Sequence, residues 1–461
     1  MLGTPPPAFG AGIEHPDVGT ISIGRGGAYA AAPGDGLAFQ YNPAGFAAQT
    51  GFRVTLDSSM SWQGLTFAPA SGEINPATGQ SKVSNSAGGF LVPAGALSYG
   101  FGRVGPLSGL TLALGATGPS AIGKETYPDG GAQRYSLTKS DYFIAFYSGA
   151  IAASIRDWLS AGVTMQLVRG TAKFSQAVWS GTFMGTDPTG LNDSVAHIDV
   201  TSDFIPTAVL GVSARPIPPL ALGLSYRPRF SFLAHGTLTT DLPKGGQTAA
   251  LQVGVDGDRT DFFVSFPDVI RFGAQYNFSP RLLVEVDLVA ELWSHLRTIE
   301  IRPQGITLHS GSGADMVVKP LPNIIFEKDF QDAYSVRVGG DYVLLPGRLT
   351  VRAGYLHETS AIPLKSVSVD FGNWQRDAVS VGGSVVITRG VIASFAYAHH
   401  FMPDQHVNDP NGNIKQIVSP CLTAGCTDPA PTVVGNGVYT GSLDVASLSL
   451  GLVLDDLRRR P

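Results

Sequence analysis

Apolar and polar residues alternate one for one along much of the chain. In Leu349, Val351, Ala353 and Tyr355 one parity is apolar, while Thr350, Arg352 and Gly354 occupy the other. The preceding segment repeats the pattern, with Tyr334, Val336, Val338, Gly340 and Tyr342 facing one way and Ser335, Arg337, Gly339 and Asp341 the other. Upstream, Leu282, Val284, Val286, Leu288, Ala290 and Leu292 form an apolar row opposite Glu285, Asp287, Glu291 and His295, interrupted by Leu283, Val289 and Trp293. Successive side chains of a strand point to opposite faces, so each segment is a strand with one greasy and one polar face. A soluble sandwich gives the same alternation with its apolar face buried. Three features favour lipid. The segments often run to about ten residues or more, against five or six for a soluble strand. Aromatic residues gather towards their ends, at Tyr276 with Phe278, Tyr342, Tyr355, and Tyr397 with Phe401, as in the girdles of a membrane barrel. Short turns also alternate with long polar connections.

The pattern predicts strands at about 52–67, 90–102, 109–118, 139–154, 160–172, 201–214, 220–239, 260–278, 281–301, 332–344, 348–358, 377–388, 391–402 and 439–454. The total is about fourteen, and an even number returns both ends to one side of the membrane. Tight turns are expected at Arg103–Ser108, Arg156–Leu159, Arg215–Pro219, Ser279–Pro280, Pro346–Gly347 and Arg389–Gly390. Long loops fall between them, notably 173–200, 302–331 and 403–438. The first fifty residues are rich in Gly, Ala and Pro and alternate poorly. Ahead of a barrel they read as a plug within the lumen, with a disordered periplasmic tail as the alternative. The expectation is therefore an all-β transmembrane antiparallel barrel over residues 51–461 with an N-terminal hatch over residues 1–50.

Composition sharpens this. The 461 residues include 57 Gly and 32 Pro, and 43% are hydrophobic. No stretch reaches the roughly 18 to 20 apolar residues of a transmembrane helix, and the rich run from Phe143 to Ala153 is broken by Ser148 and Gly149. The other architecture that satisfies its backbone within lipid is a closed barrel. A net charge of −5 without a basic stripe argues against nucleic acid, and Arg458, Arg459 and Arg460 read as a solvated tail. No signal peptide is recognisable where Met1-Leu2-Gly3 leads into Pro5-Pro6-Pro7, so the sequence is read as mature, truncated or recombinant. Cys421 and Cys426 lack His or acidic neighbours at ligand spacing, which favours a disulfide clip over zinc, with two free thiols as the alternative.

Catalytic readings find little support. His399 and His400 are adjacent on a strand, face opposite sides and cannot readily share a metal with His406. Gly24-Arg25-Gly26-Gly27 lacks the strand and helix of a dinucleotide fingerprint, and no phosphate loop is present. His295 and His357 are conceivable bases, but no distinctive serine motif accompanies them. No metal, cofactor or catalytic residue is expected.

With these elements placed, the sequence resembles the long-chain fatty acid transporter family of outer-membrane proteins, the FadL/TodX type, across nearly its whole length. The resemblance is carried by Gly24-Arg25-Gly26-Gly27-Ala28 and by Gly36-Leu37-Ala38-Phe39-Gln40-Tyr41-Asn42-Pro43-Ala44-Gly45-Phe46, similar to the family's hatch with its Asn-Pro-Ala signature. Further blocks are Phe266-Pro267-Asp268, the strand Phe272 to Phe278 with Asp287 and Trp293, and Asp332-Ala333-Tyr334 through Arg352-Ala353-Gly354-Tyr355 to Ser360, Ile362 and Pro363. Order and spacing together carry the likeness. Two features depart from the family: the final strand Ala446-Leu448-Leu450-Leu452-Leu454 runs into Asp455 and Asp456 instead of ending on an aromatic, and the lead from Leu2 to Gly19 is long.

The resemblance implies a hatch-plugged fourteen-stranded barrel, expected to be monomeric and set in outer-membrane lipid. It implies passive uptake of long-chain fatty acids or similar hydrophobic compounds, collected by extracellular loops and released sideways through a gap at a kinked third strand. Here that strand is about Leu110 to Thr117, with Gly115, Gly118 and Pro119 as the residues that weaken its ladder. An ordinary strand end is the alternative. Burial of a tail contributes about 0.8 kcal/mol per methylene, so apolar loop residues suit capture. Candidates are Phe174, Val178, Trp179, Phe183 and Met184 on the 173–200 loop, whose collapse into a small loop core is the other reading. Family pockets are expected to offer cations to a carboxylate, which points to Arg169, Lys173 and Lys328. Arg169 shares parity with Val163, Met165 and Leu167 and reads equally as an interfacial side chain. Fatty acid and aromatic hydrocarbon are not separable from residues alone. The rival classes are a barrel lipase or acyltransferase and a general porin.

Overall fold

The computed structural model describes residues 12–13, 17–72, 81–118, 123–179, 193–243, 251–313, 316–423 and 425–455. Fourteen strands hydrogen-bond edge to edge in a closed ring. In chain order they are β1 (Thr50–Pro69), β2 (Phe90–Val104), β3 (Leu107–Thr117), β4 (Lys139–Arg156) and β5 (Leu159–Trp179). Next come β6 (Ser194–Ser202 with Ile205–Ile217), β7 (Leu220–Arg227 with Phe230–Asp241), β8 (Arg259–Phe266 with Asp268–Ser279) and β9 (Leu282–Leu292, resuming at Thr298–Pro303). The ring finishes with β10 (Ala333–Leu345), β11 (Leu349–Glu358), β12 (Arg376–Thr388), β13 (Val391–Val407) and β14 (Gly437–Val453). Neighbours are antiparallel, and β14 returns to β1 in a ladder from Arg53↔Val453 to Pro69↔Gly437. Closure removes the unpaired edges that hydrocarbon does not tolerate.

The alternation resolves into an outside and an inside. Leu112, Leu114, Met165, Leu210, Leu288, Val338, Val381, Phe395 and Leu448 are exposed on the outer face. Thr55, Asp57, Ser98, Thr111, Thr164, Gln166, Glu285 and Arg337, of the opposite parity, are buried within. On β10 the outward Tyr334 and Tyr342 bracket this band. Their separation along a strand tilted about 40° corresponds to a height of roughly 20 Å, close to the apolar band of an outer-membrane barrel.

The strands overshoot that band at the end bearing the long connections. β5 continues to Trp179 and pairs with β6 from Thr171↔Thr201 to Val178↔Ser194, so much of the expected 173–200 loop is wall. At this level four neighbours are interrupted: β6 at Asp203-Phe204, β7 at Pro228-Arg229, β8 at Pro267 and β9 over Trp293–Arg297. Pro228 and Pro267 have no N–H to donate to a ladder. The upper pieces re-pair as Ser194–Ser202 with Phe230–Asp241, that piece with Arg259–Phe266, and Arg259–Phe266 with Thr298–Pro303. The expected 302–331 loop contains Ile324–Glu327, which extends this wall, and Thr307–Ser310 and Val317–Pro320, which join Gly254–Asp256 in a small separate sheet.

The interior is divided. Its upper half is an apolar core around Phe146, Phe174, Phe230, Phe262, Phe266 and Trp293, extended by Val367, Phe371 and Trp374 from the 359–375 connection. Its lower half has a largely polar wall and holds residues 17–49, with helices α1 (Thr20–Gly24) and α2 (Ala38–Tyr41) and a smaller apolar cluster of Leu37, Phe39 and Phe46 against Ala96, Ala113 and Ala152.

Candidate functional site

Residues 17–49 are held by inward side chains of the wall. The Thr20 N–H and hydroxyl donate to Asp57, each at 2.8 Å. Asp287 accepts from the backbone N–H groups of Tyr29 and Ala30, and Glu285 from that of Ala31 at 2.7 Å. Arg25 donates to both carboxylate oxygens of Asp341 at 2.7 Å, lies 3.4 Å from Glu285, and is buried. Arg337 pairs with Asp17 and Glu358. The wall carboxylates thus take up backbone donors that a short irregular segment cannot pair internally.

Asn42, Pro43 and Ala44 have a defined local role. The Asn42 amide accepts from the Ala44 N–H at 3.1 Å, capping the 3-10 turn Pro43–Phe46, with Pro43 at its first position. Its NH2 donates to the carbonyls of Ala30 at 2.8 Å and Val212 at 3.1 Å, joining two parts of the segment to β6. Close approach needs bare backbone on the wall. A Cβ on Gly354 would lie 2.0 Å from the Arg25 carbonyl carbon, and one on Gly223 2.1 Å from the Ala30 oxygen. Such glycines, and the carboxylates, seat the segment against the wall, and sequence reading passed over that role. Their signal was charge or glycine at inward parity.

Above the core lies a cavity of about 520 Å³, roofed by the 304–332 and 408–436 connections and walled by the upper parts of β5, β6 and β7. Val178, Leu238, Leu308, Ile324, Phe326 and Ile417 give it an apolar surface. It adjoins the core through Ala196 and Leu238, which belong to both, and through Val178, Ile324 and Phe326, which pack against it. The roof is tied down by charge. Asp329 accepts from Lys365 at 2.7 Å and from Asn413 at 3.2 Å, and the Lys365 bond holds its carboxyl below the usual range. Asp428 accepts from the Cys421 N–H at 2.7 Å, which depresses its pKa likewise, and Cys421 is disulfide-bonded to Cys426.

Several expected site residues meet here. Val178 and Lys328 line the cavity, Phe174 is buried in the core beneath, and Trp179 is paired with Val418 of the roof. Phe174 and Val178 face inward from a strand instead of lying on a loop. Phe183, Met184 and Pro119 lie outside the described residues. Arg169 and Lys173 are corrections: both project from the outer face, Arg169 over the Phe204 ring at 5.3 Å and Lys173 onto Asp199 at 2.7 Å. Odd positions on this part of β5 point outward, so neither cation reaches the interior. Lys328 is inside, yet its ammonium is 2.6 Å from Asp370 and 4.9 Å from the Phe371 ring centre.

The third strand differs from expectation at one glycine. β3 is paired on both flanks through Gly115, which packs against the Phe39 ring, so Gly115 makes no gap. The ladder to β4 ends at Thr117↔Phe146, while the Gly118 N–H still donates to Pro93. Above it, among the described residues, no strand pairing joins Phe90–Pro93 to Phe143–Ala145. A pocket of about 40 Å³ reaches the wall at Phe90 and Val92 and also touches Ile23, Leu443 and Val445.

Comparison with known proteins gives this architecture a family. Residues 6–430 match the family described as outer membrane protein transport protein (OMPP1/FadL/TodX). No curated protein matches the sequence. Among solved structures, a Pseudomonas aeruginosa FadL homologue superposes with a TM-score of 0.76 at 16% identity, covering 96% of this chain and 100% of that one. The P. putida toluene transporter TodX gives 0.65 at 14% identity, covering 95% and 99%, and the CymD monoaromatic hydrocarbon channel gives 0.60 at 15%, covering 96% and 97%. At such identities the likeness is one of fold, whereas the family match spans most of the sequence, and the chain belongs to the OMPP1/FadL/TodX family of outer-membrane channels that transport hydrophobic compounds.

Proposed function

We propose that this protein carries hydrophobic molecules, with long-chain fatty acids and aromatic hydrocarbons as the candidate classes, passively inward across the outer membrane, by a route that bends sideways out of the barrel. The observation that carries the reading is the apolar cavity of about 520 Å³ beneath the extracellular connections, continuous with an apolar core where a general porin would keep water. Ligand enters there and trades water for apolar surface. Residues 17–49 act as a hatch that blocks the straight path and leave the small pocket at Phe90 and Val92 as the way onward. Exit lies above Thr117, between β2 and β4, where the tail passes into hydrocarbon without returning to water. No step opposes the hydrophobic effect, so no energy source is required.

Uptake of labelled palmitate and of toluene by cells lacking their own such channel tests the reading. The protein restores uptake of at least one compound. Val178→Asp, which places a charge in the cavity, lowers it about tenfold or more. Val92→Trp, which fills the pocket at the wall, slows release while leaving binding intact. Uptake of neither compound overturns the transport route, and unaltered release by Val92→Trp overturns the lateral exit.

A further inference from the structure

We infer that the cavity selects uncharged hydrophobic molecules and discriminates against carboxylates, an inference that rests on the cavity being the ligand site proposed above. The reason is the bookkeeping of charge along its lining. Its cations among the described residues are Lys328 and Lys415, and its anions are Glu327, Asp370 and Asp428. Lys328 is neutralised by Asp370 at 2.6 Å, and both side chains are largely withdrawn from water. Lys415 lies 3.6 Å from Glu327. Asp428 has the Cys421 N–H at 2.7 Å and Lys319 at 3.3 Å. No Arg or His lines the cavity among the described residues, and the lining carries one more anion than cation.

A carboxylate entering this space loses hydration and finds each cation already engaged. To gain Lys328 it must displace Asp370, which then becomes the unpaired buried anion. A hydrocarbon, or an alcohol that donates one hydrogen bond to a roof carbonyl, meets no such penalty. Asp370 is thereby the specificity-determining residue: it converts the one deeply buried cation of the cavity from a carboxylate receptor into a closed pair.

Displacement of the neutral probe N-phenyl-1-naphthylamine from the intact protein in amphipol, against an empty-amphipol control, tests this with two ligands of equal chain length. At pH 8, 1-dodecanol displaces the probe at a concentration roughly tenfold or more below that required for dodecanoate. Asp370→Asn frees Lys328 and improves dodecanoate roughly tenfold relative to dodecanol, whose continued displacement of the probe shows that the variant is folded. Val178→Trp, which fills the cavity, abolishes probe binding and locates the signal. Dodecanoate binding as well as dodecanol in the unaltered protein, or a ratio unmoved by Asp370→Asn, overturns the inference and leaves the transport reading standing. If neither compound displaces the probe, or if Val178→Trp leaves the signal intact, the cavity is not the ligand site and both readings fall.

Discussion

Arg25 offers the most direct test of how the lumenal segment is held. Its guanidinium makes two parallel bonds to Asp341 at 2.7 Å and approaches Glu285 at 3.4 Å, with little exposure on any partner. Removing one member of such a buried pair typically costs about 3–5 kcal/mol, because the remaining charge stays buried. Here the residual charge is partly covered, since Asp341 keeps Arg352 at 3.1 Å and Glu285 keeps the Ala31 N–H at 2.7 Å. The lower end, about 3 kcal/mol, is therefore expected for Arg25→Met, which is on the order of a hundredfold in the ratio of seated to unseated segment. Arg25→Lys keeps the charge but loses the paired fork, and falls between. Hydrogen exchange over residues 25–37 and single-channel conductance in planar bilayers read the two sides of this equilibrium. Exchange in Arg25→Met accelerates about a hundredfold, ion-conducting openings become frequent, and the ring of strands stays folded. Adding Asp341→Asn relieves part of the defect. Exchange and conductance indistinguishable from the unaltered protein would refute the assignment of Arg25 as an anchor.

Other perturbations separate the contributions of neighbouring residues. Asn42→Ala removes three hydrogen bonds inside the barrel and costs roughly 2–4 kcal/mol, read as a lower midpoint for unseating of residues 17–49 on heating. Gly354→Val drives a side chain into the Arg25 backbone, so the barrel folds with its segment displaced and conducts ions. Arg271 is buried with no hydrogen-bond partner for Nε or Nη1 among the described residues, and Arg271→Met leaves resistance to heat unchanged or raises it. Asp329 and Asp428 have carboxyls held below their ordinary value of 3.8, so their hold on the roof is complete above that value and is lost as pH falls through their lowered pKa values. Hydrogen exchange over 413–431 therefore stays slow at pH 5 and quickens only in stronger acid.

The number, order and polarity of the strands were legible because a membrane wall imposes one period on every segment. What lay beyond the bilayer was less so. Phe174 and Val178 sit on a continuing strand, and the rule that the polar parity looks inward reverses there. Phe146, Phe174, Phe232 and Phe262 all point into the lumen, and the alternation gives no sign of where water stops and apolar core begins. Lys328 was legible as a cation near the pocket, but its partner Asp370 arrives from another connection, 42 positions later. The interruptions of β7 and β8 were visible as Pro228 and Pro267, yet reading each strand alone hid that they align across neighbours. Gly115 illustrates the reverse error: glycine weakens a strand in isolation, but here it makes room for Phe39 while both ladders run on.

Thr20 sits against Asp57 of the first strand and Ser447 of the last, so helix α1 straddles the line along which the cylinder is sewn shut. Joining those two strands closes a chain loop of nearly four hundred residues, an entropic cost of about 5 kcal/mol that nothing local offsets. Helix α1 thus lies at the place where the last strand of the ring meets the first. The contents of the lumen thus help to fasten its final seam, so that loosening Thr20 weakens the closure as well as the segment it anchors.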